Sequence, residues 1–156
     1  WGIESAYINL GGNVLLLGSK PDGSAWKVGI RHPRIQNSLV GAIAAKDVSV
    51  VTSGDYERFF IDSQGKRQHH ILDPRTGCPA RSGLIGTTVV CPRSLHADAL
   101  STTFFLLGLK GCKKLLADLP EVGVFAIDEN LQGWITESLV SSFQPVTGLN
   151  ISLLST

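Results

Sequence analysis

The sequence predicts an α+β domain, an antiparallel sheet of short strands with one long and one short helix packed on a face. Three observations carry this. Short apolar runs separated by turn residues fill the chain up to Pro92. Beyond Pro92 the apolar spacing lengthens from two to between three and four. Hydrophobic residues make up 43% of the chain against 17% charged, which supplies a core for one domain of 156 residues and argues against disorder.

Residues 5–10 and 14–17 are apolar runs joined by Gly11-Gly12-Asn13, a tight hairpin turn whose glycines also let a ligand approach the backbone. Lys20-Pro21-Asp22-Gly23-Ser24 reads as a second turn, and residues 25–30 as a third strand. Residues 38–53, rich in Val, Ile and Ala and broken at Lys46-Asp47, fit two strands of a meander. The second ends in Thr52-Ser53-Gly54-Asp55, where hydroxyls and free amides suit a phosphate or carboxylate, or simply cap a strand-end turn. Residues 56–61 return as a strand, 62–65 turn, 66–72 run outward again, and 84–91 form a strand stopped by Pro92.

Ser94 is the expected helix N-cap. Ala97, Leu100, Phe104 and Leu107 form one stripe of a helix over 94–108 that stops at Gly108. A shorter helix follows over 111–118, then strands at 122–127 and 134–137 around an Asp128-Glu129-Asn130 turn, and an edge strand from Gln144 onward.

Composition narrows the partners. A net charge of +1, with no basic patch interleaved with aromatics, gives no sign of nucleic-acid binding. No apolar run reaches the roughly 20 residues of a spanning helix. The chain opens at Trp1 and has no Met, which reads as a processed or trimmed piece of a longer protein. Cys78, Cys91 and Cys112 form no zinc pattern and read as ordinary thiols, with at most one pair among them.

Two groups of residues carry chemistry. His69-His70-Ile71-Leu72-Asp73-Pro74-Arg75-Thr76-Gly77 sets two imidazoles, a carboxylate, a guanidinium and a hydroxyl side by side, with Pro and Gly ending the run. Such a cluster suits acid–base or phosphate chemistry, and equally a charged turn closed by a hydrogen-bonded Asp. Asp98 and Thr102 fall four apart, so their oxygens share a helix face flanked by Phe105 and Leu106. In an apolar setting such a carboxylate wants a partner, and a hard cation such as Mg²⁺ would be one. Asp98 as a helix-start charge, with Thr102 bonding back to a carbonyl, is the other reading.

Taken in order, Ile8-Asn9-Leu10-Gly11-Gly12-Asn13, Trp26-Lys27-Val28-Gly29-Ile30 with Pro33, Thr52-Ser53-Gly54-Asp55-Tyr56-Glu57-Arg58, His70-Ile71-Leu72-Asp73-Pro74-Arg75-Thr76-Gly77 and Ala97-Asp98-Ala99-Leu100-Ser101-Thr102 resemble the ApbE family of FAD:protein FMN transferases. The resemblance implies an ApbE-like, T-fold-like domain of which residues 1–156 are the C-terminal part. It implies an enzyme that uses Mg²⁺ to break the pyrophosphate of FAD, passes FMN to a threonine hydroxyl of an acceptor protein and releases AMP. Carried over by position, Asp98 and Thr102 match the metal ligands and His70 the catalytic histidine. Leu72 and Asp73 match a wall of the nucleotide site, and Gly11, Gly12, Ser53 and Gly54 lie near it. The family also implies an N-terminal half that completes the metal shell and flavin pocket. It implies a place outside the cytoplasmic membrane, often with a lipid anchor, although cytoplasmic members exist. FAD hydrolysis to FMN and AMP, and a non-catalytic flavin- or nucleotide-binding module, are the alternatives.

Overall fold

A computed structural model describes residues 2–146 and 148–155. The elements are β1 (Ala6–Leu10), β2 (Asn13–Leu17), β3 (Trp26–Arg31), β4 (Leu39–Ala45), β5 (Ser49–Gly54), β6 (Phe59–Ile61), β7 (Arg67–His69), β8 (Leu84–Cys91), α1 (Ser94–Leu116), β9 (Gly123–Asp128), β10 (Gly133–Ile135), α2 (Glu137–Val140), β11 (Phe143–Pro145) and β12 (Ile151–Leu153). Among the described residues the expected single sheet is three. A seven-stranded sheet runs in the order β1-β2-β5-β8-β9-β10-β12, a three-stranded sheet in the order β11-β4-β3, and β6 pairs with β7 alone.

Both faces of the large sheet are covered at its centre, while the β1 edge stays exposed. Strand alternation sends Val51, Val89, Val124 and Ala126 toward α1, where they meet Ala97, Phe104, Phe105 and Cys112. It sends Val50, Val90, Phe125 and Ile127 toward the small sheet, where they meet Val28, Ile43 and Phe143. Phe125 and Phe143 stack with ring centroids 4.7 Å apart. Sandwiched in this way, β8 is buried at every one of its eight positions.

Several expectations need correction. β10 and β12 pair in parallel, the exception in an otherwise antiparallel sheet. The two expected helices are one element broken at Gly108, whose φ of 68° and ψ of 179° are not helical. A side chain there would sit 2.7 Å from the Ser82 carbonyl oxygen, so glycine lets the Ser82 turn press against the helix axis. Leu107 is half exposed, whereas Phe105 is fully buried, so the apolar stripe is rotated from the one the spacing suggested. Residues 56–58 form a turn before a shorter β6, and Glu137 opens α2 instead of ending β10. In place of one edge strand from Gln144 onward there are two strands, β11, which already begins at Phe143, and β12, with residues 147 and 156, like Trp1, outside the described residues. The cysteines are free thiols, Cys78 exposed and Cys91 and Cys112 buried, so no pair forms among them.

Among the described residues, no helix is long and apolar enough to cross a membrane.

Candidate functional site

The site begins where β5 meets α1. Ser53 projects from the sheet and its Oγ lies 2.8 Å from Ser101 Oγ and 3.1 Å from Thr102 Oγ1. Ser101 Oγ donates to the Asp98 carbonyl at 3.0 Å, and Thr87 Oγ1, from β8, donates to the Ser101 carbonyl at 2.7 Å. Asp98 is exposed and Thr102 half-buried. The neighbourhood is therefore a layer of hydroxyls open to solvent on one side, and not the apolar setting that Phe105 and Leu106 suggested.

The back-bonding alternative is filled by other residues. Ser101 takes the Asp98 carbonyl and Thr103 donates to the Ala99 carbonyl at 2.8 Å, while Thr102 bonds to Ser53. Among the described residues the Asp98 carboxylate makes no hydrogen bond or ion pair. A carboxylate and a hydroxyl one turn apart, both with oxygen left to offer, fit a hard cation. Among the described residues no three His, Cys, Asp or Glu side chains converge.

The hairpin turn reaches the same end of the sheet. Asn13 pairs with Val51, two residues before Ser53, and its Oδ1 accepts from Ser94 Oγ at 2.8 Å. Ser94 is thus not the N-cap; Arg93 holds that position and the serine hydroxyl docks the hairpin. Gly11 and Gly12, with φ of +65° and +100°, face open space, which leaves their backbone approachable. Gly54 is different. The Tyr56 ring lies on it, so that a side chain at 54 would overlap the ring, and the glycine serves packing as much as access.

The two histidines part company. His69, 4% exposed, points inward; its Nε2 donates to the Ala80 carbonyl at 3.1 Å and its ring meets Phe105 edge-on at 5.5 Å. Burial pushes its pKa below the ordinary histidine value. His70 is exposed, and both its backbone N–H and its Nδ1 lie on the Arg58 carbonyl, at 3.1 and 3.2 Å. Ile71 then returns to the α1 core and Leu72 is 50% exposed.

Asp73 closes the following turn. Its carboxylate accepts from the Arg75 backbone N–H at 2.9 Å, Nε at 3.0 Å and Nη2 at 2.7 Å, which holds its pKa down at about 2. Its oxygens are engaged by Arg75, so Asp73 does not present a free carboxylate. Asp73, Pro74 and Arg75 face Thr103, Leu106 and Leu107 of α1 across a cleft of about 350 Å³. Thr102, on the next face of the helix, does not line this cleft. No hydrogen bond among the described residues joins His70 to Asp98 or Thr102.

The sequence assigned no role to Ser101 or Thr87, although a cue existed in the consecutive hydroxyls of Ser101-Thr102-Thr103. Asp55, read only as the last residue of the Thr52–Asp55 strand end, is buried and held by both Arg34 Nη atoms at 2.7 and 2.8 Å, with Arg67 Nε 3.9 Å away.

The fold and this site describe an α+β protein with a candidate oxygen-ligand cation site on one helix. The chain belongs to the ApbE family, whose family model matches residues 1–126. It is 40% identical over 134 residues to the FAD:protein FMN transferase of Treponema pallidum (strain Nichols), covering 80% of this chain and 37% of that protein. It is 45% identical over 115 residues to the one from Klebsiella pneumoniae (strain 342), covering 72% and 34%. Among solved structures, the ApbE protein of Thermotoga maritima MSB8 superposes with a TM-score of 0.79 at 34% identity, covering 88% of this chain and 44% of that one. The apo Pseudomonas stutzeri flavinyl transferase ApbE gives 0.71 at 31%, covering 94% and 46%. The chain thus spans roughly a third to just under half the length of these relatives.

Proposed function

We propose that the protein acts in Mg²⁺-dependent transfer of FMN from FAD to a threonine hydroxyl of an acceptor protein, with AMP released. The observation that carries the reading is the Asp98–Thr102 pair, an unpartnered carboxylate and a hydroxyl one turn apart, in a chain whose relatives are named FAD:protein FMN transferase. Asp98 and Thr102 would hold the ion, and an ion bound there supplies neutralisation of charge on the phosphate oxygens.

His70 is the base. A carbonyl oxygen only accepts, so the contact to Arg58 puts the ring proton on Nδ1 and leaves the Nε2 lone pair of the neutral imidazole available. Nε2 takes the proton of the acceptor threonine as its Oγ attacks the phosphorus on the FMN side of the anhydride. The bond from that phosphorus to the bridging oxygen breaks, and AMP leaves with the electron pair. Gly11 and Gly12 give the nucleotide close approach to the backbone, and Ser53 and Gly54 line the same sheet end. Leu72 offers an apolar contact and Asp73 fixes the loop. The remaining ligands and the flavin-ring pocket belong to the other half of the family's domain, which is a partner in the reaction. The family resemblance alone supports a place outside the cytoplasmic membrane, on a lipid anchor, and a cytoplasmic place is the alternative.

Mass spectrometry of an acceptor incubated with the whole protein, FAD and Mg²⁺ tests the proposal. Transfer adds the FMN mass to a threonine. Free FMN and AMP without that adduct would mean hydrolysis, and intact FAD would mean a binding module. Asp98→Ala and His70→Ala should each abolish the adduct, and near-normal flavinylation by either variant overturns its assignment.

A further inference from the structure

Thr102 has a neighbour whose proton is already spoken for. Ser101 donates to the Asp98 carbonyl, and a carbonyl can only accept. The single Ser101 proton is thereby used, so in the 2.8 Å contact between the two serines Ser53 donates and Ser101 accepts. The Ser53 proton is then used as well, so in the 3.1 Å contact Thr102 is the donor and Ser53 the acceptor. The chain has one direction, from Thr102 through Ser53 and Ser101 to the Asp98 carbonyl. Its start is half-buried and its Ser101 link is fully buried, which shields that link from competing water.

The consequence falls on the Thr102 oxygen. With its hydrogen aimed at Ser53, its lone pairs are turned away from the sheet and stay available to a cation shared with Asp98. The same chain bonds to the Asp98 backbone and so ties both ends of the ligand turn to β5. The Thr87 hydroxyl, on the Ser101 carbonyl, fixes the same turn from β8.

We infer that Ser53 and Ser101 are positioning residues that set the hydrogen-bond direction of Thr102 and thereby poise its oxygen to ligate a divalent cation. This rests on the reading of Asp98 and Thr102 as ligands given above. If Ser101 is lost, the Ser53 proton is released to turn onto Thr102 and occupy a lone pair; if Ser53 is lost, the Thr102 hydroxyl has no acceptor to hold it.

The test is Mn²⁺ binding to the whole protein, followed by the electron paramagnetic resonance signal of the free ion, for Asp98→Ala, Ser53→Ala, Ser101→Ala, Ser53→Thr and the Ser53→Ala/Ser101→Ala pair. Orienting partners of this kind change metal affinity by about 10- to 100-fold. We expect Ser53→Ala and Ser101→Ala each to weaken Mn²⁺ about tenfold, and Ser53→Thr, which keeps the hydroxyl, to restore near-normal binding. The double variant should be no weaker than Ser53→Ala alone, because Ser101 acts through Ser53, whereas two separate packing defects would add. Thermal unfolding of each variant identifies any that fails to fold, and Ser53→Thr then carries the comparison. If Asp98→Ala abolishes binding while both serine variants stay within twofold of the parent, the inference is overturned and the ligand reading stands. Unchanged binding in Asp98→Ala overturns the ligand reading itself.

Discussion

His69 and His70, adjacent in sequence, bond through opposite ring nitrogens to carbonyls on different segments, Nε2 of His69 to Ala80 and Nδ1 of His70 to Arg58. Each contact fixes a tautomer, and burial separates the roles. The inward ring belongs to the core, and the outward ring keeps an available Nε2.

Replacing the two should therefore have opposite effects. His70→Ala should lower flavin transfer by about 10²- to 10⁴-fold, the range for loss of a general base, with an unfolding midpoint close to the parent's. His69→Ala removes a ring packed on Phe105 and should destabilise by roughly 2–4 kcal/mol, read from urea unfolding. A normal transfer rate in His70→Ala would remove the base from the mechanism.

The buried His69 also predicts a pH dependence. Its folded pKa lies below the ordinary 6.5, so the unfolded chain binds the proton more readily. Its contribution to stability is complete above about 6.5 and is lost as the pH falls through the lower folded value. Denaturant midpoints from pH 7.5 down to 5 should fall in the parent, and that part of the slope should vanish in His69→Gln.

At Asp73 the window lies lower. The carboxyl, held near 2 by Arg75, stabilises the loop above the ordinary value of 3.8 and loses that effect as the pH falls toward 2. Nuclear magnetic resonance titration of the Asp73 carboxyl should show an inflection well below 3.8 that moves upward in Arg75→Ala.

Asp98 should be dispensable for folding. It is exposed and without a protein partner among the described residues, so Asp98→Ala should shift stability by no more than about 0.5 kcal/mol while abolishing divalent-ion binding. A large loss of stability without added metal would mean that the carboxylate serves the fold.

Arg34→Ala strips buried Asp55 of a two-pronged partner and leaves Arg67, 3.9 Å away, as its nearest cation. A loss of about 2 kcal/mol is expected, the scale of an uncompensated buried charge at a partly solvated site. Converting Asp55 to Asn in the same background should recover much of it.

Much of this was legible in the sequence because local chemistry decided it. The Gly11-Gly12 hairpin, the break at Gly108 and the spacing of Asp98 and Thr102 on one turn follow from glycine's reach into positive φ and from the helical period. What stayed hidden was set by distant partners. Ser53 meets Thr102 across 49 positions, Ser94 is claimed by Asn13 across 81, and β12 joins β10 in parallel after an intervening helix and strand. The rotation of the apolar stripe from Leu107 to Phe105 depends on where the β8 and His69 surfaces lie, which helix periodicity alone does not contain.

A strand enclosed along its whole length behaves as the slowest clock in the molecule. The β8 amides should be the last to trade hydrogen for deuterium, since opening them requires the helix layer and the small sheet to part together. Thr87 belongs to that strand and Ser53 to β5 beside it, so the Asp98–Thr102 turn is anchored to the part of the protein that should survive every partial opening.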